Sequence, residues 1–228
     1  MKHFSIFLFL FFQCLYSQSI EVVYNFIPKE ITQTSTNEHV NALIQELDNL
    51  NIEFLLKADN AASYFKLIEN DLNGQNTKEK LLIKTNVLRI GYMNPYYYSK
   101  AENTFYYEKE GFVIKKENGL APQITKETKK IDNYTCYKAI YKEKIINRIG
   151  KEVEREIIAW FTPELPYAYG PLEYNGLPGL ILELEKLGCK LVAKSITIDK
   201  DKDITIEKPK GKTISENEYK EKIKSKFE

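Results

Sequence analysis

The sequence predicts a mainly β, α+β fold: a single strongly curved antiparallel sheet, or half-barrel, with a helix near each end. Three observations predict it. About ten β-branched or aromatic runs follow one another, most joined by short Gly-, Asn- or Asp-bearing turns. Clear helical spacing is confined to one segment near the start and one at the end. Strands do not alternate with long helices, as the crossovers of a parallel sheet would require.

The elements follow in order. Ile20 to Ile27 is β-branched and aromatic and reads as the first strand, stopped by Pro28. A polar connector, Thr32 to Asn37, leads into a helix from Glu38 to Leu50. Its Val40, Leu43, Ile44, Leu47 and Leu50 share one face, and Asn37 or Thr36 caps it. This helix is expected to lie on the sheet. Ile52–Lys57 and Ala62–Glu69 are strands across an Asp59-Asn60 turn. Asn70 to Lys80 reads as a loop with at most a helical turn. Leu81 to Tyr92 is ambiguous between a strand and a short irregular piece, and Asn94-Pro95 bends the chain. Tyr96, Tyr97 and Tyr98 point to alternate faces if extended, so at least one is exposed or lies under a loop.

A hairpin spans Asn103–Lys109 and Gly111–Lys116 across Glu110-Gly111, and Ile124–Lys130 is a further strand. In Tyr134–Lys144, the residues Thr135, Tyr137, Ala139 and Tyr141 take one face and Tyr134, Cys136, Lys138 and Ile140 the other. Gly150 marks a hairpin turn into Glu152–Phe161, which begins charged and ends apolar. Leu180–Leu187 and Lys190–Asp199 form a hairpin around Gly188. A charged run, Asp199 to Lys212, precedes a terminal helix from Glu216 to Phe227. Ser215 caps that helix, and Glu218 completes a capping box.

Composition bounds the function. With 33 basic and 32 acidic side chains, the chain lacks the excess of positive charge that phosphate neutralisation needs, so no nucleic-acid partner is expected. Residues 1–17 read as a signal peptide: a short basic start, an apolar run from Phe4 to Phe12, then small polar residues. Cys14 lacks the small preceding residue of a lipoprotein signal. The expectation is an exported protein, periplasmic or secreted, in which residues 18–228 form one domain with a charged C-terminal segment. No later stretch is apolar enough to cross a bilayer as a helix.

The chemistry expected from side chains is sparse. Beyond the leader there is one histidine, His39, too few for a His-based metal site or a Cys/His pair. No phosphate-cradling glycine loop and no Gly-x-Ser-x-Gly elbow occur. No metal or cofactor is therefore expected, and no catalytic residue is assigned. Cys136 and Cys189 either form a disulfide, which needs their strands side by side, or remain two core thiols. Glu164 and Glu173 keep open a carboxylate-dependent hydrolase, provided both face one cleft.

One stretch stands apart. Trp160 to Leu184 holds four of the eight prolines, three of the ten glycines and the only tryptophan. Pro163 and Pro166 pin an extended segment. Gly170-Pro171, Asn175-Gly176 and Pro178-Gly179 supply turns. The expected product is a rigid loop folded back over the sheet. It either seals the open end of the curved sheet or presents Trp160, Tyr167, Tyr169, Tyr174 and Leu177 to an apolar or peptide ligand or an envelope partner.

Asn175-Gly-Leu-Pro-Gly-Leu-Ile181, together with Trp160-Phe161-Thr162, Pro166, Tyr169-Gly170-Pro171 and the strand from Tyr134 to Ala139, resembles the GLPGLI family of exported bacterial envelope proteins. The likeness is close over residues 134 to 184 and loose elsewhere. It implies a Gram-negative envelope location and carries no activity or ligand residues with it. A non-enzymatic binding module is the leading expectation, with a hydrolase or a purely structural envelope component as alternatives.

Overall fold

The computed structural model describes residues 19–29, 36–68, 77–146, 149–199, 204 and 206–225. The signal-peptide segment 1–17 lies outside the described residues. In chain order the elements are β1 (Ser19–Ile27), α1 (Glu38–Asp48), β2 (Glu53–Ala58), β3 (Ala62–Leu67), α2 (Thr77–Arg89), β4 (Tyr96–Ser99), β5 (Thr104–Lys109), β6 (Phe112–Glu117), β7 (Gln123–Ile131), β8 (Tyr134–Ile146), β9 (Glu152–Thr162), β10 (Leu180–Lys186), β11 (Cys189–Asp199), β12 (Lys212–Ser215) and α3 (Glu216–Lys224).

All twelve strands form one open sheet, ordered β12-β6-β5-β4-β3-β2-β1-β11-β10-β9-β8-β7. Every pair is antiparallel except β12 on β6. Hairpins build the two halves, because short turns can join only antiparallel neighbours. β1 and β11 join the halves in the middle, Ser19 opposite Asp199 and Phe26 opposite Leu191. The sheet curls strongly: β5 and β6, from one side of the strand order, line a single cavity with β8, from the other.

The inner face carries the core. Ile20, Val22, Tyr24 and Phe26 alternate along β1, all buried. They continue sideways into Phe54 and Leu56 of β2 and Phe65 of β3. Aromatic contacts extend the layer: Phe54 stacks on Phe65 at 5.2 Å, and Tyr92 meets both edge-on. Two structures cover this face. One is α2, whose Val87 enters the core with Ile90 just beyond the helix. The other is the loop from residue 163 to 179.

Three expectations change. The stretch from Thr77 to Arg89 is a helix, α2, where the sequence suggested a loop and then a strand or irregular piece. α1 has no buried residue among those whose side chains are described, and it packs on α2 rather than on the sheet. Lys78 pairs with Glu46, and the buried Asn86 donates to the Leu47 carbonyl at 2.9 Å. α2 takes the inner face, so α1 is left as a second layer. Finally, the charged C-terminal run leads into β12, which adds a parallel strand to β6. The terminal helix α3 has the expected capping box: Ser215 and Glu218 exchange hydrogen bonds with each other's backbone amides.

Candidate functional site

The Gly/Pro loop is a plug. Leu165, Tyr167, Tyr169, Leu172, Tyr174 and Leu177 are all buried and belong to the main core. Backbone bonds fold the loop on itself: Leu180 donates to the Leu165 carbonyl at 2.9 Å, Ile181 to Tyr169 at 3.1 Å, and Gly176 to Ala168 at 3.0 Å. The buried Asn175 ties it twice. Its side-chain oxygen accepts from the Gly170 amide at 2.8 Å, and its carbonyl accepts from the Tyr141 hydroxyl at 3.1 Å. From the sheet floor, the Tyr24 hydroxyl donates to the Ile181 carbonyl at 2.6 Å. Tyr169 meets Tyr98 edge-on at 6.1 Å, which places Tyr98 under the loop.

The glycines are needed because backbones approach closely. A Cβ on Gly179 would sit 2.1 Å from the Thr162 carbonyl oxygen, and one on Gly170 would sit 2.4 Å from Ile181 Cδ1. Pro163, Pro166, Pro171, Gly176 and Pro178 shape the same path, as their turn chemistry predicts. Tyr167, Tyr169, Tyr174 and Leu177 are therefore core residues and present no free surface to a ligand. Burial pushes the hydroxyls of Tyr24, Tyr141 and Tyr169 well above the usual phenol range, so they stay protonated, and Tyr24 and Tyr141 serve as donors to the loop.

Trp160 does not join them. Pairing puts Lys138, Trp160, Glu183 and Val192 in one row across β8 to β11, and strand alternation aims that row to the outer face. There Lys129 lies over the indole at 4.4 Å and pairs with Glu183 at 2.6 Å. Lys190 approaches the same carboxylate at 3.5 Å. The cysteines correct the disulfide alternative. Both are free and buried, and β9 and β10 lie between their strands. Three strand spacings of about 4.8 Å separate them, against a Cα limit of about 7 Å for a bridge. Burial raises the Cys136 thiol to about 11, far from a reactive thiolate.

At the rim, Glu173 reaches from the loop to the Lys116 ammonium of β6. Glu143 of β8 accepts from the Tyr174 hydroxyl and from Lys186 at 3.2 Å. These groups surround a cavity of about 640 Å³, which Phe105, Lys142 and Glu154 also line. Its charges are matched: Lys142 pairs with Glu154 at 2.9 Å. Glu164 does not line this cavity. It accepts instead from the Thr135 amide at 2.9 Å, so the two carboxylates singled out from sequence do not both line this cavity. Among the described residues no group of three His, Cys, Asp or Glu could hold a metal ion, and no helix is long and apolar enough to cross a membrane.

A second cavity has a different character. β3 continues past the start of β4: Phe65 pairs with Tyr96, and Lys66 and Leu67 lie beyond the ladder. The Leu67 amide donates to the Tyr92 hydroxyl at 3.0 Å, which closes the strand edge. The notch left between β3, α2 and the turn into β4 is a groove of about 520 Å³. Leu67, Val87, Leu88, Tyr92, Met93 and Pro95 line it, and among the described residues Lys66 and Lys84 are the charged ones in its lining. Its floor is buried, with Val87 at 5% and Tyr92 at 6% exposure, while Leu88 and Met93 stand 55% and 61% exposed. Leu81 extends the apolar stripe along α2. The sequence did carry a signal for this groove. The run from Leu81 to Tyr92 has more apolar residues than one helix face can bury.

Residues 147–183 match the model of a family described as a protein of unknown function, Porph_ging. The match includes the second half of the β8–β9 hairpin and the whole plug. No curated protein matches the chain. Among solved structures, PNGF-II in a C2 crystal form is similar with a TM-score of 0.56 at 14% identity, over 91% of this chain and 33% of that one. The P21 form of PNGF-II gives 0.55 at 14% identity, over 90% and 33%. The chain thus spans about a third of the length of that protein, and the likeness is one of fold: a mainly antiparallel β architecture that extends over nearly all of the chain.

Proposed function

We propose that this chain is a non-enzymatic binding module of the bacterial envelope that takes an apolar or peptide segment of a partner. The groove beside α2 carries this reading. It is concave and apolar, its floor is built from core residues, and its walls are exposed. Monomer surfaces seldom keep such apolar groups together unless something covers them. The envelope location rests on the leader-like start and on the Gly176–Ile181 hexapeptide, which resembles GLPGLI proteins and falls inside the matched segment. The plug supports the reading indirectly. It seals the inner face, so a ligand would have to meet the module at its rim or flank. The hydrolase alternative would need Glu164 beside Glu173, and Glu164 does not line the cavity that Glu173 lines.

Site-specific photo-crosslinking tests this. A benzophenone side chain is placed at position 88, and in a second protein at position 126 on exposed β7. With envelope extract, adducts are expected from position 88 alone. Equal labelling at both positions, or none at 88, overturns the reading.

A further inference from the structure

We infer that the groove beside α2 selects acidic amphipathic segments: one large apolar side chain flanked by carboxylates. The inference rests on the binding-module reading and adds the chemistry of the partner. Two observations carry it, one of shape and one of charge.

The shape is that of a pit for a side chain. Val87 and Tyr92 form the buried floor, and Leu88, Met93 and Pro95 form the walls. A volume of about 520 Å³ exceeds what one leucine or phenylalanine needs, leaving room for the flanking backbone. A concave apolar pit holds a projecting anchor residue better than it meets a flat surface.

The charge is unmatched among the described residues. Some lysines elsewhere on this surface are paired, Lys57 with Glu21 at 2.8 Å, Lys78 with Glu46 at 2.6 Å and Lys142 with Glu154 at 2.9 Å. Among the described residues Lys66 and Lys84 are the only charged ones lining the groove, and neither makes an ion pair with another described residue. Two ammonium groups beside an apolar pit, with no carboxylate lining it among the described residues, are complementary to carboxylates placed on either side of an apolar anchor. The rim cavity offers the contrast. There lysines and glutamates already neutralise one another, so it presents no net charge preference.

The test uses the protein and three fluorescein-labelled seven-residue peptides. The first has a central leucine with glutamates around it, the second has lysines in place of the glutamates, and the third has serine in place of the leucine. Fluorescence anisotropy is expected to show binding of the first only. Reversing both lysines (Lys66→Glu with Lys84→Glu) should weaken that peptide by about tenfold and admit the lysine peptide. Leu88→Ser with Met93→Ser should abolish binding without loss of thermal stability, because both side chains are more than half exposed. If both leucine peptides bind the wild type equally, acid selection falls while the peptide-binding reading stands. If neither binds and position 88 gives no cross-link, both fall. Flotation with vesicles of phosphatidylcholine, with and without phosphatidylglycerol, is run in parallel. Binding to the anionic vesicles that the same Leu88/Met93 variant loses would overturn the peptide assignment in favour of a lipid surface.

Discussion

Gly179 shows how one residue sets the plug. The absence of a Cβ lets the chain pass against the Thr162 carbonyl, and this contact starts β10 at the correct height opposite β9. Gly179→Ala is expected to lower stability by about 3 kcal/mol, the upper range for forced overpacking, because the obstacle is backbone that cannot rotate away. Gly176 makes the comparison. Its φ is +92°, yet a Cβ added there would meet nothing within 4 Å, so Gly176→Ala should lose only the conformational term of about 1–2 kcal/mol. Urea denaturation of the two variants reads the order directly. A larger loss at Gly176 would mean that backbone conformation, and not close approach, holds the loop. The glycines and prolines of this stretch were legible in sequence as turn formers. The burial of Tyr167, Tyr169 and Tyr174 was not, because an aromatic on a rigid loop has the same local signature whether it faces water or a core.

Among the elements, α2 is the most informative. Its residues span three environments: Leu82, Asn86 and Val87 are buried, Leu81 and Leu88 are exposed, and lysines lie between them. Mixed burial blurs the periodicity that marks an amphipathic helix. By contrast, the hairpins were readable, since strict alternation over strands such as β1, β2 and β9 is decided by one covered face. Asn86 joins α2 to α1: its amide donates to Leu47, and its oxygen accepts from Arg89 at 3.1 Å. Asn86→Ala leaves the Leu47 carbonyl and the Arg89 guanidinium without these partners. A loss of about 1–3 kcal/mol is expected, the penalty of stranding a partly buried polar group. Hydrogen exchange should show faster opening of α1 than of β1 in that variant. Uniform acceleration across the sheet would mean that α1 contributes to the global fold.

For the whole molecule, buried tyrosines couple the fold to pH. Burial raises the hydroxyls of Tyr24, Tyr96, Tyr107 and Tyr141 above the ordinary phenol value of 10.0. Tyr174 is raised by burial and then by the Glu143 charge. In the unfolded chain these groups lose protons near pH 10, whereas in the folded chain they keep them. The folded state therefore binds more protons above about pH 10, and stability must fall as pH rises through that range. Stability from these groups is fully present below about pH 10. The ultraviolet absorbance of tyrosinate should rise in two phases, exposed phenols first and the buried set together with loss of near-ultraviolet circular dichroism. Titration of all tyrosines in one phase without unfolding would contradict the sealed inner face.

Taken alone, the sequence determined the local geometry: the alternating strands, the turns at Glu110-Gly111 and Leu187-Gly188, the Ser215 cap, and the pinned path from Pro163 to Gly179. Each depends on backbone preferences and hydrogen bonds within a few residues. Only the tertiary structure decided the pairing of β1 with β11, the parallel addition of β12 to β6, the free thiols of Cys136 and Cys189, and the opposite outlooks of Trp160 and Tyr174. It also decided where the surplus apolar residues of α2 are left uncovered. Those outcomes depend on contacts between segments far apart in the chain. Such contacts form where two apolar faces can be covered at once, and no local preference records which faces those are.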